Sequence, residues 1–167
     1  SMSKIAVVTG GSSGIGKETA LQLSRFGCTV FELSRTGKTA DGITHITCDI
    51  TDTESVYAAI SQIIAENGKI DILVNNAGFG AYGKFADVSL DTELEMISVN
   101  VRAVHILTKL FLRDMTKRDS GIILNVGSAA GFLAGPTFSS YYASKNYVVR
   151  LTEAIHEEMR RDNINVK

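Results

Sequence analysis

A tyrosine and a lysine four residues apart, Tyr141 and Lys145 in the run Tyr141-Tyr142-Ala143-Ser144-Lys145, could carry proton-transfer chemistry. On a helix that spacing is one turn, so both side chains leave the same face. A phenol ordinarily titrates near ~10, too high to trade protons easily at neutral pH, and a neighbouring ammonium favours the phenolate and draws that value down. Ser128 ends an apolar, strand-like run, where its hydroxyl can hold the same substrate oxygen that the phenol protonates. Alone, a Tyr-x-x-x-Lys pair is weak evidence, equally satisfied by an aromatic residue and a solvated lysine on a helix surface. Its weight depends on what the remaining residues build beside it.

A second cluster lies at the other end of the chain. An apolar run over residues 4–9 leads into Thr9-Gly10-Gly11-Ser12-Ser13-Gly14-Ile15-Gly16, and a helical pattern follows. Glycines permit the tight turn, let backbone approach a pyrophosphate and let helix pack closely on sheet. The free N–H groups and the helix dipole then favour phosphate. Glycine-rich turns are often only turns, but strand, turn and helix in this order make a dinucleotide site the stronger reading.

Both clusters need a scaffold, and the chain supplies one by alternation. Residues 4–9, 29–33, 44–49, 70–75 and 122–128 read as strands, most of them nearly continuous Ile, Val and Leu, as in parallel strands covered on both faces. Residues 15–26, 53–67, 90–117 and 139–161 read as helices. Gly27 and Gly68 stand where helix C-caps belong, and Ser89 can cap the third helix. The pattern predicts an α/β fold, a doubly wound parallel sheet of the Rossmann type with right-handed crossovers. Pro136 is the single proline, so no linker or domain boundary is marked, and 167 residues suit one domain over 2–167. Ser1 before Met2 reads as an expression scar.

Charge and composition narrow the partners. A net charge of -1 gives no reason to expect nucleic acid or an anionic membrane, and no apolar stretch is long enough to span a bilayer. Cys28 and Cys48 lack metal-ligand spacing and read as free thiols in a reducing, cytoplasmic setting. His45, His105 and His156 are scattered and read as structural, so no metal site is expected.

The glycine spacing is Thr-Gly-x-x-x-Gly-Ile-Gly, and in it the chain resembles the classical short-chain dehydrogenase/reductase family. The resemblance runs from Lys4 to the last residue. Asn75-Asn76-Ala77-Gly78 is similar to the family's Asn-Asn-Ala-Gly element at the end of the fourth strand, and Asn100 to its catalytic asparagine. Ser128, Tyr141 and Lys145 match its serine, tyrosine and lysine, with the tyrosine thirteen positions after the serine. Asp49, in Cys48-Asp49-Ile50, matches the acidic residue that contacts the adenine ring.

The resemblance implies an NAD(P)-dependent oxidoreductase acting on a small carbonyl or alcohol. Tyr141 is then the general acid in reduction and general base in oxidation, and Lys145 tunes it and holds the nicotinamide ribose. Ser128 polarises the substrate oxygen, and Asn100 holds a water that completes the relay. Gly10, Ser12, Ser13, Gly14, Ile15, Gly16, Arg35, Asp49, Ile50, Asn76, Ala77 and Gly78 are the implied cofactor contacts, with Tyr141 and Lys145. Asn76 also has a structural reading, tying neighbouring strands together. Spacing alone leaves Tyr142 as a rival for the acid, three residues from Lys145 rather than four.

The second strand ends in Ser34-Arg35, where enzymes that choose NAD usually carry an acidic residue against the ribose hydroxyls. Arg35 can pair with a 2′-phosphate, so NADP(H) is favoured and NAD(H) remains an alternative. Glu32 complicates this, because a shift of two residues would bring it to the decisive place. Members of the family are usually considerably longer, and this chain ends where a sixth strand is just starting, which reads as a piece of a longer enzyme lacking its last strands and substrate loop. An unpaired apolar edge beside the fifth strand is then expected. The resemblance also implies a homodimer or homotetramer through the two long helices, with Leu107, Leu110 and Phe111 beyond the sheet-facing stripe.

Phe79, Tyr82, Phe85, Phe132, Leu133 and Phe138 are candidates to line a moderately apolar substrate site. Two rival functions stand beside this one. Gly10-Gly11-Ser12-Ser13-Gly14 formally fits the Gly-x-Ser-x-Gly of a serine hydrolase with Ser12 as nucleophile, but no histidine occupies a suitable strand end. A non-catalytic dinucleotide sensor would keep the fold, yet has no use for Asn100, Ser128, Tyr141 and Lys145 together.

Overall fold

The computed structural model describes residues 3–127 and 136–167; Ser128, Phe132 and Leu133 lie outside them. The elements follow in chain order as β1 (Ile5–Thr9), α1 (Gly14–Arg25), β2 (Thr29–Ser34), β3 (Ile43–Thr47), α2 (Thr53–Asn67), β4 (Ile72–Asn75), α3 (Leu90–Ile97), a π-helical turn (Ser98–Ala103), α4 (Val104–Arg118), β5 (Gly121–Asn125), α5 (Ser139–Glu158) and β6 (Ile164–Val166). The strands form one sheet in the order β3-β2-β1-β4-β5-β6, and every pair is parallel. This is the expected doubly wound architecture. The connection direction reverses between β1 and β4, which opens a crevice at the carboxyl ends of those strands.

The apolar runs explain the layering. All five residues of β1 are buried, because the strand is central and covered on both sides. Ala6, Val8, Val30, Ile43, Ile72 and Val74 pack with Ala20 of α1 on one face. Val7, Phe31, Leu33, Leu73 and Ile123 pack on the other with Val56, Ala59 and Ile63 of α2 and Leu107, Phe111 and Met115 of α4. Leu107 and Phe111 are thus core residues rather than a surplus apolar face, a correction to their expected place in an oligomer contact. Leu107, Phe111 and Met115 recur every four residues along α4, so they form the one stripe that this helix turns to the sheet.

Caps hold the helix ends where the sequence puts them. Asp52 accepts the Glu54 amide at 3.1 Å and Ser89 the Thr92 amide at 3.2 Å. Gly27 (φ 93) and Gly68 (φ 89) leave α1 and α2 through backbone that a side chain would strain. Strand ends shift by one to three residues from expectation, as in β5, which stops at Asn125, and three differences are larger. The helix expected over 90–117 is broken into α3, the π turn and α4. The last helix stops at Glu158, since the chain must turn to bring Asn163 onto Asp119, which accepts its backbone and side-chain N–H groups at 3.2 and 2.9 Å. The final residues form β6 and pair with Gly121, Ile122 and Ile123, so β5 is not the unpaired edge anticipated.

At the end of the sheet opposite the crevice, Asp71 pins β1 to β4. Its Oδ2 accepts the Ile5 amide at 2.8 Å and its Oδ1 meets Lys69 Nζ at 3.1 Å. Burial opposes ionisation of Asp71, but the Ile5 amide, Lys69 and the charge of Lys4 outweigh it and hold the carboxyl below its usual range. A depressed carboxyl stabilises fully above the unfolded value near ~3.9, and the contribution is lost as pH falls through the lower folded value. Asp71→Asn is therefore expected to lose about 1–3 kcal/mol at pH 7, with the deficit shrinking below pH ~4. Urea unfolding across that range checks it, and equal stability of the two proteins at pH 7 would refute it.

Candidate active site

The crevice is built first from the glycine turn. Gly10 takes φ 64 and donates its amide to Leu33 O at 3.0 Å, and a Cβ there would come within 2.9 Å of Ala77 Cα. The turn therefore presses on the end of β4. Thr9 Oγ1 accepts the amides of Asn76 and Ala77 at 3.0 and 3.2 Å, and Asn76 Nδ2 donates to Gly10 O at 3.2 Å. Gly16 packs beneath, where any side chain would strike Gly10 O and Asn76 Nδ2. Ser13 stands at the N-cap of α1 without making a side-chain cap bond, so its hydroxyl does not take up the first-turn amides. That leaves the helix start open to an acceptor from outside.

A cleft of about 430 Å³ opens above this turn. Gly10, Ser12, Ser13, Ile15, Arg35, Asp49, Ile50, Asn76, Ala77 and Gly78, all expected cofactor contacts, line it. Gly14 and Gly16 shape the turn from outside the lining, and Tyr141 and Lys145 lie beyond the far end. Sequence reasoning missed Leu33, Cys48, Thr51 and Val99 as wall residues, and gave Phe79, which also lines this cleft, to the substrate site. Thr51 had a signal in its place two residues after Asp49: its amide and hydroxyl donate to Asp49 Oδ1 at 2.9 and 2.7 Å. Those bonds, the hydroxyl first, hold the Asp49 carboxyl below its ordinary value, with a smaller contribution from Arg35. Burial pushes the Cys48 thiol up.

Register places the residues at the end of β2. Leu33 pairs with Thr9, so β2 ends at Ser34, and Ser34 and Arg35 line the cleft. Arg35 is exposed, 3.7 Å from Glu95 Oε1. Glu32 is buried on the α1 side of the sheet and does not line the cleft.

The residues expected to carry proton transfer come together where the cleft ends. Gly78 is the hinge: a Cβ on it would lie 2.9 Å from Asn100 Oδ1 and 3.1 Å from Lys145 Nζ. Asn100 is fully buried in the π turn. Its Oδ1 accepts the Phe79 amide at 3.1 Å, and its Nδ2 donates to Phe79 O at 2.8 Å and Ser144 Oγ at 3.2 Å. A single π turn inside an α-helix is a common device for aiming a side chain at a functional place. Tyr141 and Lys145 leave one face of α5. Lys145 Nζ is 5.9 Å from the centre of the Tyr141 ring, and that ring packs so closely on Gly80 that a Cβ there would touch it at 3.2 Å. Tyr142 turns instead into ring contacts with Phe138 and Tyr141. Burial lowers the Lys145 ammonium from its ordinary value.

Beneath the site runs a polar ladder that starts at Asn75 of the Asn75-Asn76-Ala77-Gly78 run and continues through residues of no motif. Asn75 Nδ2 donates to Asn125 Oδ1 at 2.8 Å, and Asn125 Nδ2 donates to Thr152 Oγ1 at 3.0 Å, tying β4, β5 and α5 together. The histidines are engaged elsewhere: His45 with Glu32 and Thr47, His105 with Tyr147, His156 with Val166 O. Ser12 thus has no histidine partner among the described residues, and the hydrolase arrangement is not assembled.

Comparison with known proteins follows this geometry. The chain is 33% identical over 171 residues to the 3-oxoacyl-[acyl-carrier-protein] reductase FabG of Haemophilus influenzae, covering 98% of this chain and 71% of that protein. Its structure is similar to that of a variant of actinorhodin polyketide ketoreductase with NADPH, at TM-score 0.91 and 31% identity over 98% of this chain and 68% of the other. It is also similar to 4-hydroxyisoleucine dehydrogenase complexed with NADH, at TM-score 0.89 and 27% identity over 98% and 72%. The chain spans 49% to 71% of the length of the curated relatives compared. The family model described as short chain dehydrogenase matches residues 4–167, and by that match the chain belongs to the short chain dehydrogenase family.

Proposed function

We propose that this chain carries the cofactor-binding and proton-transfer machinery of an NADP(H)-dependent oxidoreductase that interconverts a carbonyl and an alcohol. The carrying observation is the convergence of Asn100 and Lys145 on Gly78, the residue at which the cleft reaches the Tyr141 face. The open turn, the free start of α1 and the Asp49 wall fit a dinucleotide. Ser12 and Ser13 receive its phosphates, Asp49 and Ile50 its adenine, and Ala77 and Gly78 its nicotinamide end. Bound there, a reduced nicotinamide supplies a hydride to the carbonyl carbon. Tyr141 gives its hydroxyl proton to the carbonyl oxygen and recovers it in the reverse direction. Lys145 places positive charge beside the phenol, Ser128 orients the substrate oxygen, and Asn100 holds the Phe79 backbone that walls the site.

The preference for NADP(H) is supported by the neutral Ser34 and the exposed Arg35 on the cleft wall, with Glu32 turned away. Arg35→Ala is expected to lower kcat/KM for NADP(H) by roughly 10–100-fold, the value of one hydrogen-bonded charge pair, and to leave NAD(H) within about twofold. Paired kinetics with the two cofactors measures this, and a wild-type preference for NAD(H) would overturn it. Substrates to test first are 3-oxoacyl compounds, because a relative is named for them, and other moderately apolar ketones. Bound NADPH with no carbonyl reduced would point to a sensor. We also read the protein as a cytoplasmic homodimer or homotetramer, consistent with free Cys28 and Cys48 and the exposed Tyr147 on α5.

A further inference from the structure

Directly under the glycine turn lies a buried carboxylate that the proposed chemistry does not use. Glu32 is 2% exposed, and a Cβ on Gly11 would come within 2.8 Å of its Cβ, so the turn closes over it. Its Oε1 is hydrogen-bonded to His45 Nδ1 on the adjacent strand and accepts the Ser34 hydroxyl at 3.0 Å. Its Oε2 has no hydrogen-bond partner among the described residues. Glu32 borders a cavity of about 410 Å³ together with Lys17, Lys38 and Asp41, and shares Ser12 and Ser13 with the cofactor cleft. Burying a carboxylate with an idle oxygen is costly, so what its other oxygen binds decides what the residue does.

The hydrogen bonds identify that task. His45 is fixed from behind by Thr47 Oγ1, 2.9 Å from its Nε2, and by Thr39 Oγ1, which accepts its amide at 2.9 Å. It holds Glu32, and Glu32 accepts the hydrogen bond of the Ser34 hydroxyl. Ser34 Oγ in turn accepts the Gly37 amide at 3.1 Å, which closes the turn over residues 34–37. A side chain at Gly37 would fall 2.8 Å from both His45 Nδ1 and Ser34 Oγ, so the turn has one way to sit. Arg35 is carried on it. The chain of bonds therefore runs from β3 through a buried couple to the two residues that border the cleft at the ribose end.

We propose that Glu32 and His45 are positioning residues which, acting through Ser34, fix the turn over residues 34–37 and so set the affinity for the phosphorylated adenosine end of the dinucleotide. The inference rests on the cofactor reading above. Its test is calorimetric titration of the full chain with 2′,5′-ADP, which occupies the adenosine end alone, alongside NADPH. Glu32→Ala and His45→Ala should each raise both dissociation constants about tenfold, the scale of one lost hydrogen bond to a charged group. Glu32→Gln keeps an acceptor for Ser34 and should stay within about threefold of wild type. In a Ser34→Ala background Glu32→Ala should add nothing, because the path is already cut. A merely structural role would give additive losses and no rescue by glutamine. Should Glu32→Ala fail to fold, Glu32→Gln against His45→Ala decides, since equal weakening by both contradicts the proposal. Unchanged affinity in the folded variants overturns the coupling alone, whereas absence of binding by the wild type overturns the coupling and the functional reading together.

Discussion

Tyr141→Phe is expected to lower kcat for carbonyl reduction by about 10²–10⁴-fold, the span of general acid catalysis, with the dissociation constant for NADPH unchanged within about twofold. Phenylalanine keeps the ring that packs on Gly80 and lies under Lys145, so the fold loses a hydroxyl and nothing else. The loss then falls on the chemical step rather than on binding. Tyr142→Phe serves as the control, because that ring is occupied with Phe138 and its spacing to Lys145 is three residues. Inactive Tyr142→Phe with active Tyr141→Phe would reverse the assignment. Lys145 is expected to set the alkaline limit of the proposed reaction. Burial lowers its value, so the ammonium is present below that value and lost as pH rises through it. The fall in kcat/KM should therefore set in below the ~10.4 of an ordinary lysine. The profile is to be measured on the protein that turns over substrate, whether this chain or a longer one containing it.

Asn100→Ala is expected to cost on the order of 3 kcal/mol, because it strips partners from the Phe79 N–H, the Phe79 C=O and Ser144, each worth about 1 kcal/mol or more when buried. For a chain of this size the melting temperature should fall by roughly 6–12 °C. The effect reaches the site as well. Phe79 lines the cleft next to Gly78, and Asn100 Oδ1 shares the space around Gly78 with Lys145 Nζ. Loss of the anchor lets that wall move, so turnover should fall with stability. Thermal melting and hydrogen exchange at the Phe79 amide read the two consequences separately. A variant that melts within about 2 °C of wild type would show that the π turn does not depend on this side chain.

Much of the scaffold was legible because it is encoded locally. The buried strands announce themselves as runs such as Ile5-Ala6-Val7-Val8, which no amphipathic surface tolerates. Ser89, Gly27 and Gly68 bound helices by local chemistry, since the Ser89 hydroxyl accepts an amide of the first turn it starts and the two glycines take positive φ at helix ends. The same holds for the glycine turn, whose positions must lack side chains wherever Ala77 and Asn76 press on it. Tyr141 and Lys145 could be paired in advance because one helical turn is a fixed distance.

Other features depended on which strands became neighbours. Nothing in the spacing of Ser98–Ala103 marks a π turn, since its stabilising partner, Phe79, is twenty-one residues away in another segment. Leu107 and Phe111 looked superfluous to one apolar stripe, but α4 packs on the sheet with that very stripe, which sets them into the core. Glu32 could have faced either the ribose or the interior, and the register of β2 against β1 chose the interior. Asn75 and Asn125 are fifty residues apart and meet only because β4 lies beside β5.

The residue order by itself determined the alternation of strands and helices, the bare glycine turn and the one-turn spacing of Tyr141 and Lys145. Each depends on bond geometry within a few residues. Only the tertiary structure decided that Asn100, Lys145 and Gly78 share one point, and that Glu32 answers to His45 rather than to the cleft. Those partners are chosen by parallel strand order and register, in which a shift of two residues exchanges one polar contact for another while leaving every local pattern intact.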